Sequence, residues 1–157
     1  MSVEEPARPP SGAAGAPTGP PTHARAVAMT LLGLDWGARR IGLAIKPAGQ
    51  DWPLPQATLT IAGEAQALEA VREAISRSGA GGVVVGLPLG PDPQQAREIK
   101  RFCRKARART AGVRWFFVDE RLTTQAADAL GLERSARRPT DDLAAALILE
   151  TFLQSCR

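Results

Sequence analysis

The chain has few of the side chains that most hydrolases use for nucleophilic or metal chemistry. Its 157 residues include one histidine, two cysteines and no tyrosine. The single histidine, His23, lies in a proline-rich N-terminal segment, which leaves no basis for a histidine-built metal site or a Ser/His/Asp triad. Cys103 and Cys156 are far apart and share no ligand-like spacing. We therefore interpret both as free thiols in a reducing cytoplasm.

Long apolar runs and aromatic residues are also scarce. No stretch approaches the roughly 18 to 20 apolar residues of a membrane span. The first residues, MSVEEPARPP, begin acidic and contain no apolar segment of a secretory signal. These absences predict a cytoplasmic protein with no membrane partner. Because only 4% of the residues are aromatic, recognition of a nucleic acid is expected to rely on backbone and shape rather than on base stacking.

Positive charge is present in excess and is unevenly placed. The formal net charge is +4 and the isoelectric point is about 9.8. In residues 1–28 two arginines balance two glutamates, so the whole excess lies in residues 29–157. A basic folded domain favours nucleic acid as a partner.

Composition divides the chain into a tail and one domain. Residues 1–28 hold six of the thirteen prolines and little to bury, which predicts a disordered tail before a domain at 29–157. Within the domain, apolar periodicity and turn residues predict five strands and four helices. The strands are expected at 29–35, 40–45, 54–60, 81–89 and 113–119, and the helices at 63–78, 92–110, 123–130 and 141–153. This order predicts an α/β fold in which helices cover both faces of a mixed sheet.

Acidic residues stand at the ends of three predicted elements. Asp35 closes the apolar run LLGLD, Asp119 and Glu120 close the last strand, and Asp141 and Asp142 open the last helix. A carboxylate at the end of a buried strand is costly unless it is paired or coordinated. Each has an ordinary explanation as well: a turn residue, a solvated loop, or a helix cap.

Together these acidic residues favour a cation site. Convergent carboxylates repel one another unless they share a cation, and Mg²⁺ prefers such oxygen ligands. Two such ions about 4 Å apart can activate water and stabilise a leaving oxygen on phosphorus, without histidine or cysteine.

Four motifs in order carry a resemblance to a known family. GLDWGARRIGLA, VVGLPL, FVDERLTT and DDLAAALILETFL resemble the YqgF/RuvX family of the ribonuclease H-like superfamily, over residues 30–153. The resemblance implies a five-stranded mixed sheet that begins with three antiparallel strands. It also implies a hydrolase of the two-metal phosphodiester nuclease type, which acts in Holliday-junction resolution or in trimming the 5′ end of pre-16S rRNA.

The resemblance also implies particular site residues and partners. It places catalytic, metal-binding carboxylates at Asp35, Glu120 and Asp141, with Mg²⁺ or Mn²⁺ as the cofactor and a role for Asp142 left open. The implied partners are pre-16S rRNA or branched DNA, with ribosomal particles and a second copy of the chain as further candidates. After GLPL the family has an asparagine where this chain has Gly90, so substrate contacts in that loop are expected to differ.

A one-signed helix adds candidate phosphate contacts. Residues 97–114 carry eight basic side chains against one acid, whereas a solvated helix usually mixes both signs. Further arginines adjoin the candidate carboxylates. The predicted nucleic-acid contacts are Arg39, Arg40, Arg97, Lys100, Arg101, Arg104, Arg137 and Arg138.

Two other functions fit parts of the pattern. The first is a non-catalytic nucleic-acid or ribosome-associated factor that keeps the fold, against which the three intact carboxylates count. The second is an ATP-binding protein of the actin/Hsp70 type, because DWG follows a strand as that fold's first phosphate loop does. Such proteins need a second half, for which about 125 folded residues leave no room.

Overall fold

The computed structural model describes residues 19–122 and 140–157. Its helices are α1 (His23–Ala28), α2 (Glu64–Ser78), α3 (Gln94–Ala108) and α4 (Asp141–Ser155), and its strands are β1 (Leu31–Trp36), β2 (Arg40–Lys46), β3 (Leu54–Thr60), β4 (Gly82–Leu87) and β5 (Arg114–Asp119). Every element except α1 agrees with a predicted element to within a few residues. The helix predicted at 123–130 lies outside the described residues.

The five strands form one mixed sheet in the order β3-β2-β1-β4-β5. β1 pairs antiparallel with β2, and β2 with β3, whereas β4 runs parallel to both β1 and β5. The predicted α/β class and the mixed sheet that opens with three antiparallel strands are confirmed. Because β1, β4 and β5 are parallel, their carboxyl ends share one edge of the sheet, which we call the carboxyl edge.

Helices cover both faces of the sheet, as predicted. On one face, the apolar sides of α2 and α3 pack on Leu32, Leu34, Val83 and Val85. On the other, α4 and Ala26 of α1 pack on Leu31, Ala44, Val84 and Val118. α4 is buried along most of its length, which explains why its sequence is apolar nearly all round. None of the described helices is both long enough and apolar enough to span a bilayer.

Three strand glycines allow α4 to lie directly on the sheet. A Cβ at Gly33 would come within 2.7 Å of the Ala145 carbonyl oxygen, and one at Gly42 within 1.9 Å of the Asp141 carbonyl oxygen. At Gly86 it would come within 2.6 Å of Ile148 Cδ1. A glycine inside a strand often marks such a close backbone approach. These positions on β2, β1 and β4 therefore fix how α4 crosses the sheet.

The end of the predicted tail differs from the structure. Residues 23–28 form α1, where the Thr22 hydroxyl accepts a hydrogen bond from the Arg25 amide and Ala26 is fully buried. The prediction of disorder is therefore wrong for this part of the segment; for residues 1–18 it lies outside the described residues. Composition did not reveal α1, because a contact with a distant segment, a lysine on β2, stabilises the helix.

That lysine is Lys46, which is completely buried. Its ammonium donates to three backbone carbonyl oxygens, those of Val27 at 2.9 Å, Pro47 at 2.9 Å and Gln50 at 3.1 Å. Burial lowers the pKa of Lys46, while the charge of Asp51 opposes that shift. The side chain joins the end of α1 to the loop that follows β2.

We expect Lys46→Met to lower the free energy of unfolding by about 3 kcal/mol, because three partly buried carbonyl groups lose a charged donor. Urea denaturation measures this loss. Lys105→Met is the matched control: its exposed ammonium pairs with Glu64 at 2.9 Å, and such surface pairs contribute about 1 kcal/mol or less. Equal effects of the two substitutions would show that Lys46 does not hold α1.

Candidate active site

Two of the predicted carboxyl groups meet at the carboxyl edge. Asp35 lies near the end of β1, and Glu120 directly follows β5, where its amide donates to the Leu87 carbonyl oxygen at 3.0 Å. Both side chains are half-buried. Burial is the largest cause that raises the pKa of each, and a hydrogen bond joins them. That bond lowers the pKa of Asp35 and raises that of Glu120.

The third predicted carboxylate, Asp141, lies beside this pair but does not form a metal-binding group with it. The charge of Asp141 raises the pKa of Asp35, which places the first residue of α4 beside the end of β1. The Asp141 carboxylate also forms an ion pair with Arg40, whose Nε is 3.3 Å from Oδ2. Among residues 19–122 and 140–157, no three His, Cys, Asp or Glu side chains form a group that could hold a metal ion.

The acidic neighbours of these residues have other partners. The Asp119 carboxylate accepts hydrogen bonds from Arg121 Nη2 at 2.7 Å and from Nε at 3.0 Å. These bonds hold the pKa of Asp119 below its ordinary value. Asp142 has a lowered pKa too, chiefly through a hydrogen bond from the Thr140 side chain. Of these acidic residues, Glu120 and Asp141 are the two that shift the pKa of Asp35. Asp119 and Asp142 instead interact with Arg121 and Thr140.

A cleft of about 580 Å³ opens at this point. It is lined by Asp35 and Asp141, by the turn residues Gly37 and Ala38, and by Arg39, Arg40 and Thr60. Carboxylates and arginines therefore face the same space, an arrangement suited to a phosphodiester that needs both a cation and direct charge contacts. Arg39 and Arg40 are exposed.

The basic side of α3 is placed differently from these arginines. Arg97, Lys100, Arg101 and Arg104 are all exposed. α3 begins after the carboxyl end of β4 and runs back towards the amino ends of the parallel strands. Residues beyond Arg97 therefore lie progressively farther from the carboxylates, by about 1.5 Å per residue. One side of α3 faces α2. There Lys105 forms an ion pair with Glu64, and the charges of Arg101 and Arg109 help to lower the pKa of that glutamate. Arg137 and Arg138 lie outside the described residues.

The strand glycines are the site residues that the sequence interpretation missed. A Cβ at Gly86 would come within 3.0 Å of both Cγ and Oε1 of Glu120, and Gly42 underlies the backbone of Asp141. Both glycines let a site carboxylate lie against the sheet. Their signal in the sequence is a glycine inside an otherwise apolar, β-branched strand.

The cation expected at this site suits the donor set. Asp35 and Glu120 are hydrogen-bonded carboxyl groups, and a divalent cation can take the place of a proton between paired carboxylates. Asp141 offers a third hard oxygen ligand once it parts from Arg40. Magnesium and manganese prefer such oxygen donors, whereas the two cysteines cannot contribute: Cys103 is buried, and burial raises the pKa of its thiol to about 12.

The sheet order and the acidic edge define an α/β domain of the ribonuclease H-like class. Solved structures of this class resemble the chain in fold. The Thermus thermophilus RuvC in complex with a Holliday junction superposes with a TM-score of 0.59 at 19% identity, covering 81% of this chain and 95% of that one. The yeast mitochondrial Holliday junction resolvase Ydc2 gives 0.53 at 9% identity, covering 87% and 80%.

Sequence comparison places the chain within that class. The family model RuvX, described as Holliday junction resolvase, matches residues 29–155. The chain is 36% identical over 138 residues to the "Putative pre-16S rRNA nuclease" of Chelativorans sp., covering 83% of this chain and 86% of that protein. With the protein of the same name from Rickettsia canadensis it shares 31% over 135 residues, covering 81% and 87%. The chain belongs to the RuvX family.

Proposed function

We propose that this protein is a metal-dependent endonuclease of the two-metal type that hydrolyses phosphodiester bonds in structured nucleic acid. The observation that carries the proposal is the hydrogen-bonded pair of Asp35 and Glu120 at the carboxyl edge, with the charge of Asp141 beside it. The proposed substrate is the 5′ end of pre-16S rRNA or a Holliday junction, as the names of the relatives and the family suggest. We further propose that it acts in the cytoplasm, where both thiols stay reduced.

The carboxylates and the arginines of the site have different roles in the proposed hydrolysis. Asp35, Glu120 and Asp141 would hold Mg²⁺ or Mn²⁺, which supplies activation of the attacking water and charge neutralisation at the leaving oxygen when bound. Arg39 and Arg40 line the same cleft, so they contact the phosphate backbone near the cleaved bond. Metal binding requires both Asp35 and Glu120 in the carboxylate form, so any proton between them must leave first.

The direct test of this function offers the purified full chain two substrates, a four-way DNA junction and a 5′-extended rRNA precursor. Each is incubated with Mg²⁺, Mn²⁺ or chelator, and a linear duplex serves as the control. We expect cleavage of at least one substrate with a metal and none with chelator. Intact substrates under all conditions, despite tight binding, would instead support the non-catalytic factor of the same fold.

The paired carboxyl groups also predict an unusual dependence of stability on pH. Because their pKa values in the folded protein are raised above 3.8 and 4.5, the pair stabilises the fold fully below those values. That contribution is lost as pH rises through the raised pKa values. In chelator, we expect the urea midpoint of the wild type to fall relative to that of Asp35→Asn from pH 4 towards neutrality. A constant difference across this range would contradict the raised pKa values of the pair.

A further inference from the structure

A second groove lies away from the carboxylates, around the edge strand β5. Its volume is about 770 Å³, and we call it the β5 groove. The side chains that form its floor and rim come from β5, from the end of α3 and from α4: Trp115, Phe116, Phe117, Phe152, Arg107 and Arg114. The nuclease mechanism proposed above uses none of them.

Aromatic side chains line the β5 groove, although one of them, Phe152, is buried in the core. Four of the seven tryptophans and phenylalanines line it. Phe116 packs against Phe152 at 4.9 Å between ring centroids, and Trp115 packs on the core. Phe117 belongs to neither core cluster among the described residues, and 43% of its surface is exposed. The ring of Phe117 is therefore available to a partner.

Charge on the rim of the groove has one sign. Arg107 and Arg114 line it, and no aspartate or glutamate does so within the described part of the chain. The Arg114 guanidinium lies 5.0 Å from the Phe116 ring centroid and donates to the Gly19 carbonyl oxygen at 3.2 Å, so its position is fixed. Lys100, Arg104 and Arg107 follow one another at i, i+4 and i+7 along α3, which extends the positive row beside the groove.

The groove also leads to the candidate active site. β5 runs towards Asp119 and Glu120, and Phe117 precedes Glu120 by three residues, a distance of about 10 Å along an extended strand. A polymer bound at Asp35 and Glu120 would therefore lie about 10 Å from Phe117 along β5.

We propose that the β5 groove binds a single-stranded segment of nucleic acid that flanks the cleaved bond. Aromatic rings stack on bases that are not already stacked in a duplex, and arginines beside them bind the phosphates. The exposed ring of Phe117 and the positive rim together supply both elements. This proposal departs from the expectation, drawn from the low aromatic content, that recognition involves no base stacking. That the bound segment flanks the cleaved bond rests on the function proposed above, but the binding itself requires no metal and no catalysis.

The test measures binding in chelator by fluorescence anisotropy of labelled ten-nucleotide RNA and DNA strands and of the corresponding duplexes. Phe117→Ala should weaken single-strand binding about tenfold, leave duplex binding unchanged and leave the salt dependence unchanged. Arg107→Glu should weaken binding and reduce the slope of log affinity against log salt by about one.

Two matched controls lie away from the β5 groove, one on β3, the other edge strand, and one on α2. Leu54→Ala removes an apolar side chain that is 42% exposed on β3, and Arg77→Glu reverses an exposed charge on α2. Neither should change single-strand affinity. Circular dichroism and the melting temperature establish that each variant is folded.

Wild-type affinity of Phe117→Ala for single strands would overturn the proposal, as would equal losses for single strands and duplexes. Displacement of a bound strand by an extended, uncharged peptide but not by polyphosphate would also overturn it, because the groove would then be a peptide site. A failure of the nuclease proposal gives a different result: normal single-strand binding in chelator, followed by no cleavage when metal is added.

Discussion

Replacing Asp35 with asparagine should reduce cleavage at least about a thousandfold while binding of the substrate persists or tightens. The substitution keeps the shape of the side chain and removes one charge from the centre of the acidic group. Several kcal/mol of transition-state stabilisation depend on a correctly held cation, and each 1.36 kcal/mol changes the rate tenfold. Binding persists because a source of repulsion for phosphate is removed. Single-turnover cleavage and anisotropy measure the two effects separately.

Asp142→Asn is the matched control for this experiment. It removes a carboxylate from the helical position next to Asp141, where the Asp142 side chain interacts with Thr140 and not with Asp35. We expect its cleavage rate to stay within a few-fold of the wild type. A loss as large as that of Asp35→Asn would show that Asp142 belongs to the acidic centre.

Replacing Gly42 with alanine should both destabilise the fold and abolish activity. The added Cβ would lie 1.9 Å from the Asp141 carbonyl oxygen, and a helix backbone cannot move aside as a flexible side chain can. Overpacking of this kind costs about 1 to 3 kcal/mol and occasionally more. Because α4 must shift at its first residue, the Asp141 carboxylate leaves its place beside Asp35.

The Gly42 prediction is checked by urea denaturation and by cleavage at a temperature where the variant is folded. Gly90→Ala provides the control, since a Cβ there meets nothing within 4 Å. We expect Gly42→Ala to be inactive even when folded, and Gly90→Ala to match the wild type in stability. A stable and active Gly42→Ala would mean that the approach of α4 to β2 does not position Asp141.

Much of the fold could be predicted from the sequence because its signals are local. The apolar runs of β1 and β4 and the one-sided periodicity of α2 and α3 each occur within a single element. The choice of Asp35, Glu120 and Asp141 followed from their positions at element ends and from the family motifs. That choice remains a proposal about metal binding, although the structure brings the charges of all three to one edge of the sheet.

The features that the sequence did not reveal depend on contacts between distant segments. α1 is held by Lys46, and no property of residues 23–28 indicates a lysine on β2. Likewise, Arg40 pairs with Asp141 only because β2 passes under the start of α4. The role of Gly42 and the aromatic floor of the β5 groove arise in the same way, from the packing of one element on another.

The most direct test of the central claim is a calorimetric titration with Mn²⁺, at pH values on both sides of the raised pKa values of Asp35 and Glu120. If those carboxylates and Asp141 hold the cation jointly, the wild type binds Mn²⁺ more tightly as pH rises. At the lower pH, binding releases a proton to the buffer. Asp35→Asn should bind it at least about tenfold more weakly. Equal affinity and equal proton release in the wild type and Asp35→Asn would contradict a cation site at this edge of the sheet.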